Sequence, residues 1–150
     1  MRKLAELLSP DDIQLDLEVS VKDALLKDIA QFFEWRCGVS AELIYRSLRA
    51  REALGSTGIG FGVAIPHARI KDLAQTRAMF VRARQPLDYG AADNRPVALV
   101  LALLVPEHVT QEHLELLAAA ARLFSDKTFR ERLLDCNSAE QALQLFTAAG

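Results

Sequence analysis

Residues 96–106 read Pro-Val-Ala-Leu-Val-Leu-Ala-Leu-Leu-Val-Pro, and this stretch decides the fold. An uninterrupted apolar run, residues 97–105, lies between the two prolines and has no polar side to face solvent. Such a run is typical of a central strand that other elements cover on both faces. It is about half as long as a helix needs to be to cross a bilayer, so it predicts no membrane span.

Helical patterns lie on both sides of this strand in the sequence. Five helices are predicted, and each follows a side chain that can serve as an N-cap: Ser20, Ser40, Thr110, Ser125-Asp126 and Ser138. The inward-facing stripe of the third helix is predicted to be Leu114, Leu117, Ala118, Ala121 and Phe124. Strands interleaved with helices predict an α/β fold in which one sheet lies between helix layers. We expect residues 1–150 to form a single domain.

The composition narrows the possible functions. The chain has 150 residues, of which 51% are hydrophobic, and a formal net charge of −2. This composition is unlike that of disordered chains, so long disorder is not expected. The chain has no excess of basic residues, so nucleic-acid binding is not expected either. Two cysteines, Cys37 and Cys136, are too few for a disulfide framework or a four-cysteine zinc site. The first residues carry an acid within a short apolar run, which does not fit a secretory signal. The expected location is therefore the cytoplasm.

A glycine-rich segment precedes a second, shorter strand. Residues 55–62 read Gly-Ser-Thr-Gly-Ile-Gly-Phe-Gly, which predicts an irregular turn leading into a strand at 63–65. The segment lacks the Lys-Ser or Lys-Thr of a Walker loop and the glycine spacing of a dinucleotide loop. The hydroxyls of Ser56 and Thr57 could instead contact a phosphate, unless the segment is a connection without a ligand. Arg51, just before it, is either a solvated residue at a helix end or an anion clamp.

Two of the three histidines are candidates for chemistry. His67 follows Pro66 at the end of the 63–65 strand, where its imidazole could be a nucleophile, a proton carrier, a metal ligand or a structural residue. With Thr110 as N-cap, His113 falls in the first turn of a helix, where the helix dipole favours a neutral imidazole. A solvated role is the alternative for His113, and His108 is expected on the surface. Because His108 and His113 do not share a helical face, we predict no metal site.

These residue types together suit phosphoryl transfer. A neutral imidazole can attack phosphorus, while an arginine, hydroxyls and the amides of a helix start can hold the negative charge. The transfer requires positioning and charge rather than further covalent chemistry from the protein.

Two stretches, Arg-Glu-Ala-Leu-Gly-Ser-Thr-Gly at 51–58 and Val-Ala-Ile-Pro-His-Ala at 63–68, resemble the signature of a known family. It is the mannitol/fructose/nitrogen-regulatory enzyme IIA family of the phosphoenolpyruvate-dependent phosphotransferase system, and the resemblance covers essentially the whole chain. It implies a mannitol-IIA-like mixed sheet of about five strands with helices on both faces. The roles that it implies fall on five residues: His67 as the residue phosphorylated by an HPr-like phosphocarrier, His113 as the second active-site histidine, Arg51 beside the phosphate, and Ser56 and Thr57 as the hydroxyl pair.

Residues 8–10, 15–20 and 55–60 resemble the nitrogen-regulatory branch of this family. That branch implies a regulator of nitrogen and potassium balance, which binds targets such as potassium transport or sensor proteins according to its phosphorylation state. Two alternatives stay open. The chain could be a sugar-specific IIA component that passes the phosphoryl group to a cysteine of a IIB domain, or a phosphate- or metabolite-binding domain without transfer. No cofactor, membrane insertion or turnover of a small substrate is expected.

Overall fold

The computed structural model describes residues 4–108 and 110–149, so Met1–Lys3, Val109 and Gly150 of the predicted domain lie outside the described residues. The strands are β1 (Ile13–Leu17), β2 (Gly58–Gly60), β3 (Val63–Ala64), β4 (His67–Ile70), β5 (Arg77–Leu87) and β6 (Val97–Pro106). The helices are α1 (Lys22–Cys37), α2 (Ala41–Ala53), α3 (Gln111–Phe124), α4 (Lys127–Asp135) and α5 (Ala139–Ala149), with 3-10 turns at Leu4–Leu7 and Pro10–Asp12. None of these described helices is long and apolar enough to cross a membrane.

The strands form one mixed sheet in the order β1-β5-β6-β3-β2, and β4 also pairs with β6. β6 runs antiparallel to β5 and parallel to β3 and β4. Val63 pairs with Leu99 and His67 with Leu103, so β3 and β4 follow each other along the same edge of β6 without a change of register. The six strands therefore make a sheet five positions wide, which agrees with the expected mixed sheet of about five strands.

The predicted central strand is confirmed. Residues 97–105 are all buried, and alternate side chains of β6 enter two separate hydrophobic clusters. Val100, Ala102 and Leu104 pack on one face with residues of α1 and α2. Leu99, Leu101 and Leu103 pack on the other face with residues of α3, α4 and α5. The absence of a polar face in the sequence thus reflects helices on both sides of the sheet.

The helix starts are mostly as predicted. The Ser40 hydroxyl accepts the N–H of Leu43, and the Thr110 hydroxyl accepts the N–H of His113. The prediction for α1 was wrong by one residue, because Val21 rather than Ser20 is the N-cap. The Asp23 carboxylate, three residues after Ser20 and so at the position that would complete a capping box, instead accepts the hydroxyl of Tyr45 on α2. A bond between helices has replaced a local one.

The predicted inward stripe of α3 is right at Phe124, which is buried, and at Leu117, which is half-buried against the core, and wrong at its other three residues. The buried residues of α3 are His113, Leu116, Ala120 and Phe124, whereas Leu114 is 53% exposed and Ala118 and Ala121 are exposed. Residues 116–121 read Leu-Leu-Ala-Ala-Ala-Ala, so the middle of this helix is apolar on every side and its periodicity fits more than one orientation. In the structure, α3 packs against the sheet in the orientation that buries His113.

The glycine-rich segment is more regular than predicted. Residues 58–60 form β2, which pairs antiparallel with β3 through a tight turn at Phe61 and Gly62, both with positive φ. Gly58 is required here because a Cβ at this position would lie 2.7 Å from the Cβ of Ala91. The prediction that His67 lies after the end of a strand was wrong, because His67 is itself a strand residue. Pro66 interrupts the strand, and His67 begins β4 along the same edge of β6.

Candidate functional site

Three of the predicted site residues come from three separate elements. His67 begins β4, Arg51 lies in the last turn of α2, and His113 lies in the first turn of α3. All three line one surface cleft, and Ser56 and Thr57 line its continuation beside His67 and Arg51. The fold therefore brings together all five residues that the sequence singled out.

His67 is held in one orientation by a backbone bond. Its Nδ1 lies 2.9 Å from the carbonyl oxygen of Ile65. Because a carbonyl oxygen only accepts hydrogen bonds, Nδ1 must carry the hydrogen. In the neutral ring, Nε2 then holds the free electron pair. The half-buried imidazole is thus prepared to act as a nucleophile through Nε2.

His113 lies next to His67, with ring centroids 6.4 Å apart and planes inclined at 59°. It is only 8% exposed, and among the described residues its Nδ1 has no hydrogen-bond partner. Burial lowers the pKa of His113 below its ordinary value of 6.5, and electrostatic repulsion from His67, when that ring is protonated, and from Arg69 lowers it further. A neutral His113 can donate one hydrogen bond and accept another.

The charge of Arg51 faces the same cleft. Its Nη1 donates to the carbonyl oxygen of Gly55 at 2.8 Å. Within the described part of the chain it forms no ion pair with a carboxylate. The guanidinium therefore has donors and a full charge left for an anion that enters the cleft.

Sequence reasoning missed Arg69. This exposed residue lies two positions after His67 on β4 and lines the same cleft. Alternate residues of a strand share a face, so the spacing would have indicated Arg69 if His67 had been placed on a strand rather than after one. Arg51 and Arg69 together give the cleft a local positive charge that the net charge of −2 conceals.

The two hydroxyl residues differ in their surroundings. The Ser56 hydroxyl accepts the N–H of Gly58 at 3.0 Å and lies 3.4 Å from the carbonyl oxygen of Tyr89. The Thr57 side chain is buried, and its hydroxyl contacts the carboxylate of Glu52 and the hydroxyl of Tyr89. Both hydroxyls therefore hold the glycine-rich loop, and a contact with a phosphoryl group stays a prediction.

The metal alternative gains no support from the positions of the side chains. His108 lies on an exposed loop and does not line the cleft that holds His67. Across residues 4–108 and 110–149, no three His, Cys, Asp or Glu side chains form a group that could hold a metal ion. The cleft instead combines two imidazoles with two guanidinium groups, which suits a phosphoryl or another small anion.

The lowered pKa of His113 predicts a specific loss of stability in acid. Below pH 6.5 His113 binds a proton more readily in the unfolded chain than in the folded chain. The free energy of unfolding therefore falls as the pH drops towards the folded pKa. Well above pH 6.5, His113 is neutral in both states and its contribution to the free energy of unfolding does not change with pH. Urea unfolding at about pH 8 and about pH 5 should show a smaller acid loss for His113→Gln than for the wild type. The exposed His108→Gln should behave like the wild type, and equal losses in all three proteins would contradict the prediction.

Known proteins resemble this chain over nearly its whole length. Residues 6–149 match the family model described as phosphoenolpyruvate-dependent sugar phosphotransferase system, EIIA 2. The nitrogen regulatory protein of Klebsiella oxytoca is 34% identical over 149 residues, which cover 99% of this chain and 92% of that protein.

Two solved structures resemble the fold. The crystal structure of nitrogen regulatory protein IIA-Ntr from Neisseria meningitidis superposes with a TM-score of 0.91 at 41% identity, over 95% of this chain and 98% of that one. Enzyme IIA-mannitol of Escherichia coli, in complex with phosphorylated enzyme IIB-mannitol, gives a TM-score of 0.80 at 20% identity over 94% and 97%. The match of residues 6–149 and the full-length relatives agree, and the chain belongs to the EIIA 2 family of the phosphoenolpyruvate-dependent sugar phosphotransferase system.

Proposed function

We propose that this chain is a phosphohistidine carrier, which accepts a phosphoryl group from an HPr-like phosphocarrier on Nε2 of His67. One observation carries the proposal. The bond from Nδ1 of His67 to the carbonyl of Ile65 places the free electron pair of the neutral ring on Nε2, in a cleft that also holds Arg51 and His113. Members of this family are phosphotransfer components, so the chemistry fits the family as well as the geometry.

The transfer balances without a further reactant. The electron pair of Nε2 forms a bond to phosphorus while the bond from phosphorus to the donor's histidine nitrogen breaks. The donor ring, protonated on its other nitrogen, keeps that electron pair and leaves as neutral imidazole, and His67 keeps its Nδ1–H. Negative charge spreads over the three equatorial oxygens as the phosphoryl passes. We assign Arg51 to stabilise this charge and His113 to donate a hydrogen bond to it.

The surface around the cleft favours a protein as the donor. Leu54, Ile59 and Leu114 border the cleft, and each is among the large hydrophobic side chains that are exposed. Apolar side chains clustered around a charged site are typical of a surface that docks a partner. A small sugar would not require them. This surface is consistent with an HPr-like donor and with a protein acceptor.

We further propose that phosphorylation regulates binding to other proteins, rather than driving sugar uptake. The nitrogen regulatory relatives match over nearly their full length, and this supports a role in nitrogen and potassium balance through targets such as potassium transport or sensor proteins. The cytoplasm is the proposed location, with residues 1–150 as one domain. In the alternative, a IIB domain takes the phosphoryl group on a cysteine.

One incubation tests the carrier function. Purified chain is mixed with phosphoenolpyruvate, enzyme I and an HPr-like carrier, and we expect one phosphoryl group per chain in an acid-labile, alkali-stable linkage. A chain that takes up no label would be a phosphate- or metabolite-binding domain instead. Adding a IIB domain to the labelled chain then separates regulation from sugar uptake. Label that stays on the chain supports the regulator, and label that moves to a IIB cysteine supports the sugar-specific component.

A further inference from the structure

A buried polar network lies beneath the glycine-rich loop, and Glu52 is its centre. The Glu52 side chain, in the last turn of α2, is only 6% exposed. Its Oε1 lies 2.9 Å from Nζ of Lys22 and accepts the backbone N–H of Thr57 at 3.0 Å. Its Oε2 accepts the hydroxyl of Thr57. One carboxylate therefore binds both polar groups with which Thr57 can donate.

The network continues from Thr57 to His67 through the backbone. The carbonyl oxygen of Thr57 accepts the N–H of Ile65 at 3.0 Å. The carbonyl oxygen of Ile65 in turn accepts Nδ1–H of His67 at 2.9 Å. Three links therefore connect Glu52 to the imidazole: Glu52 to Thr57, Thr57 to Ile65, and Ile65 to His67. Each link is made by hydrogen bonds.

Tyr89 completes the network on its buried side. Its hydroxyl lies 3.0 Å from Oγ1 of Thr57, and Nζ of Lys22 lies 4.2 Å from the centre of its ring. Because the Thr57 hydroxyl donates to Glu52, it accepts from Tyr89. Burial and the charge of Glu52 raise the pKa of Tyr89 far above its ordinary value, so this donor keeps its proton. The hydroxyls of Thr57 and Tyr89 and the Glu52 carboxylate are thus all paired, which is the condition under which a buried network fixes one geometry.

We propose that Glu52 is a positioning residue for phosphoryl transfer at His67. Its carboxylate fixes Thr57, Thr57 fixes Ile65, and the Ile65 carbonyl holds His67 with the hydrogen on Nδ1 and the electron pair on Nε2. The inference rests on the proposed function, because it assigns the residue that prepares the proposed nucleophile. Glu52 itself faces the interior and does not touch the phosphoryl group.

The variant Glu52→Gln keeps the shape of the side chain and breaks the network. An amide nitrogen in place of Oε1 would face two donors, Lys22 and the Thr57 N–H. In place of Oε2 it would donate to the Thr57 hydroxyl and leave one of the two buried hydroxyls, that of Thr57 or that of Tyr89, without an acceptor. A displacement of about 1 Å in the reacting group can cost about 10²-fold in rate. We therefore expect Glu52→Gln to accept phosphoryl about 10²-fold more slowly, with the same label per chain at completion.

The control is a second buried ion pair, far from the site. The Asp12 carboxylate is buried and bonds Arg36 at 2.8 Å, just before β1, which β5 and β6 separate from β4. Asp12→Asn should lower the unfolding midpoint as Glu52→Gln does, without slowing transfer.

Thr57→Val, which loses the hydroxyl bonds and keeps the backbone N–H, should slow transfer about tenfold, and Thr57→Ser should restore it. Thr57→Val also serves if Glu52→Gln fails to fold.

Nitrogen-15 NMR of the unphosphorylated protein supplies a readout that does not depend on transfer. The His67 ring should be a single tautomer with the hydrogen on Nδ1 in the wild type, and a mixture of tautomers in Glu52→Gln. The proposal is overturned if Glu52→Gln and Thr57→Val keep the wild-type rate and tautomer, or are slowed no more than Asp12→Asn. If the wild type accepts no phosphoryl at all, the proposed function fails, and the tautomer still tests whether Glu52 positions His67.

Discussion

His67→Ala is expected to take up no phosphoryl group from a phosphorylated HPr-like carrier, under conditions in which the wild type takes up one per chain. The new bond to phosphorus requires the free electron pair of an imidazole nitrogen, and the orientation of His67 supplies that pair at Nε2. Removal of an enzyme nucleophile costs on the order of 10⁶-fold in rate. Label in the variant should therefore stay at background over hours.

The neighbouring histidines make this test specific. His113 remains in the variant, so any label on it would show that the phosphoryl group attaches to the cleft without selecting His67. His108→Ala, on the exposed loop, removes a histidine outside the cleft and should label as the wild type does. Label retained in His67→Ala, with a circular dichroism spectrum like that of the wild type, would refute the assignment.

Arg51→Ala should accept phosphoryl about 10² to 10³-fold more slowly and reach the same label per chain. The guanidinium is one of two arginines that line the cleft, and the charge to be stabilised is greatest while the phosphoryl is between donor and acceptor. The loss should appear in the rate of transfer more than in the affinity for the carrier. Rapid mixing with labelled carrier, followed by quenching in alkali at set times, measures that rate directly.

Two further variants separate the charge of Arg51 from its bond to the loop. Arg49→Ala removes an equal charge from an exposed position on the same helix, and its transfer rate should stay within about twofold of the wild type. Arg51→Lys keeps the charge but loses the paired donors, so it should recover only part of the rate. If Arg51→Ala transfers as fast as Arg49→Ala, Arg51 only holds the Gly55 carbonyl and has no role in stabilising the phosphoryl group.

Features that depend on neighbouring residues in the chain were predictable. The run at 97–105 is apolar throughout because its strand is covered on both faces, and the two prolines mark its ends. Ser40 and Thr110 cap their helices through bonds that span three residues. Ser20 does not cap α1, and the Asp23 carboxylate, which could have paired with it, bonds Tyr45 on another helix.

The candidate site divides in the same way. His67, His113, Arg51, Ser56 and Thr57 were named from local motifs and from the family resemblance, and the structure lines one cleft with them. Glu52 was not singled out, because in the sequence it is one charged residue near the end of a helix. Only the fold places Lys22 from one helix and Thr57 from the following loop on either side of its carboxylate.

By itself, the sequence determined the elements, the covered central strand and the residue types that suit phosphoryl transfer, since these depend on periodicity, capping and side-chain chemistry. The tertiary structure decided which face of α3 is buried, because a helix whose middle turns are apolar on every side can pack in several orientations. It also decided the 6.4 Å approach of His67 to His113 and the hydrogen-bonded route from Glu52 to His67. Contacts of this kind join residues distant in the chain, and packing rather than local preference selects among them.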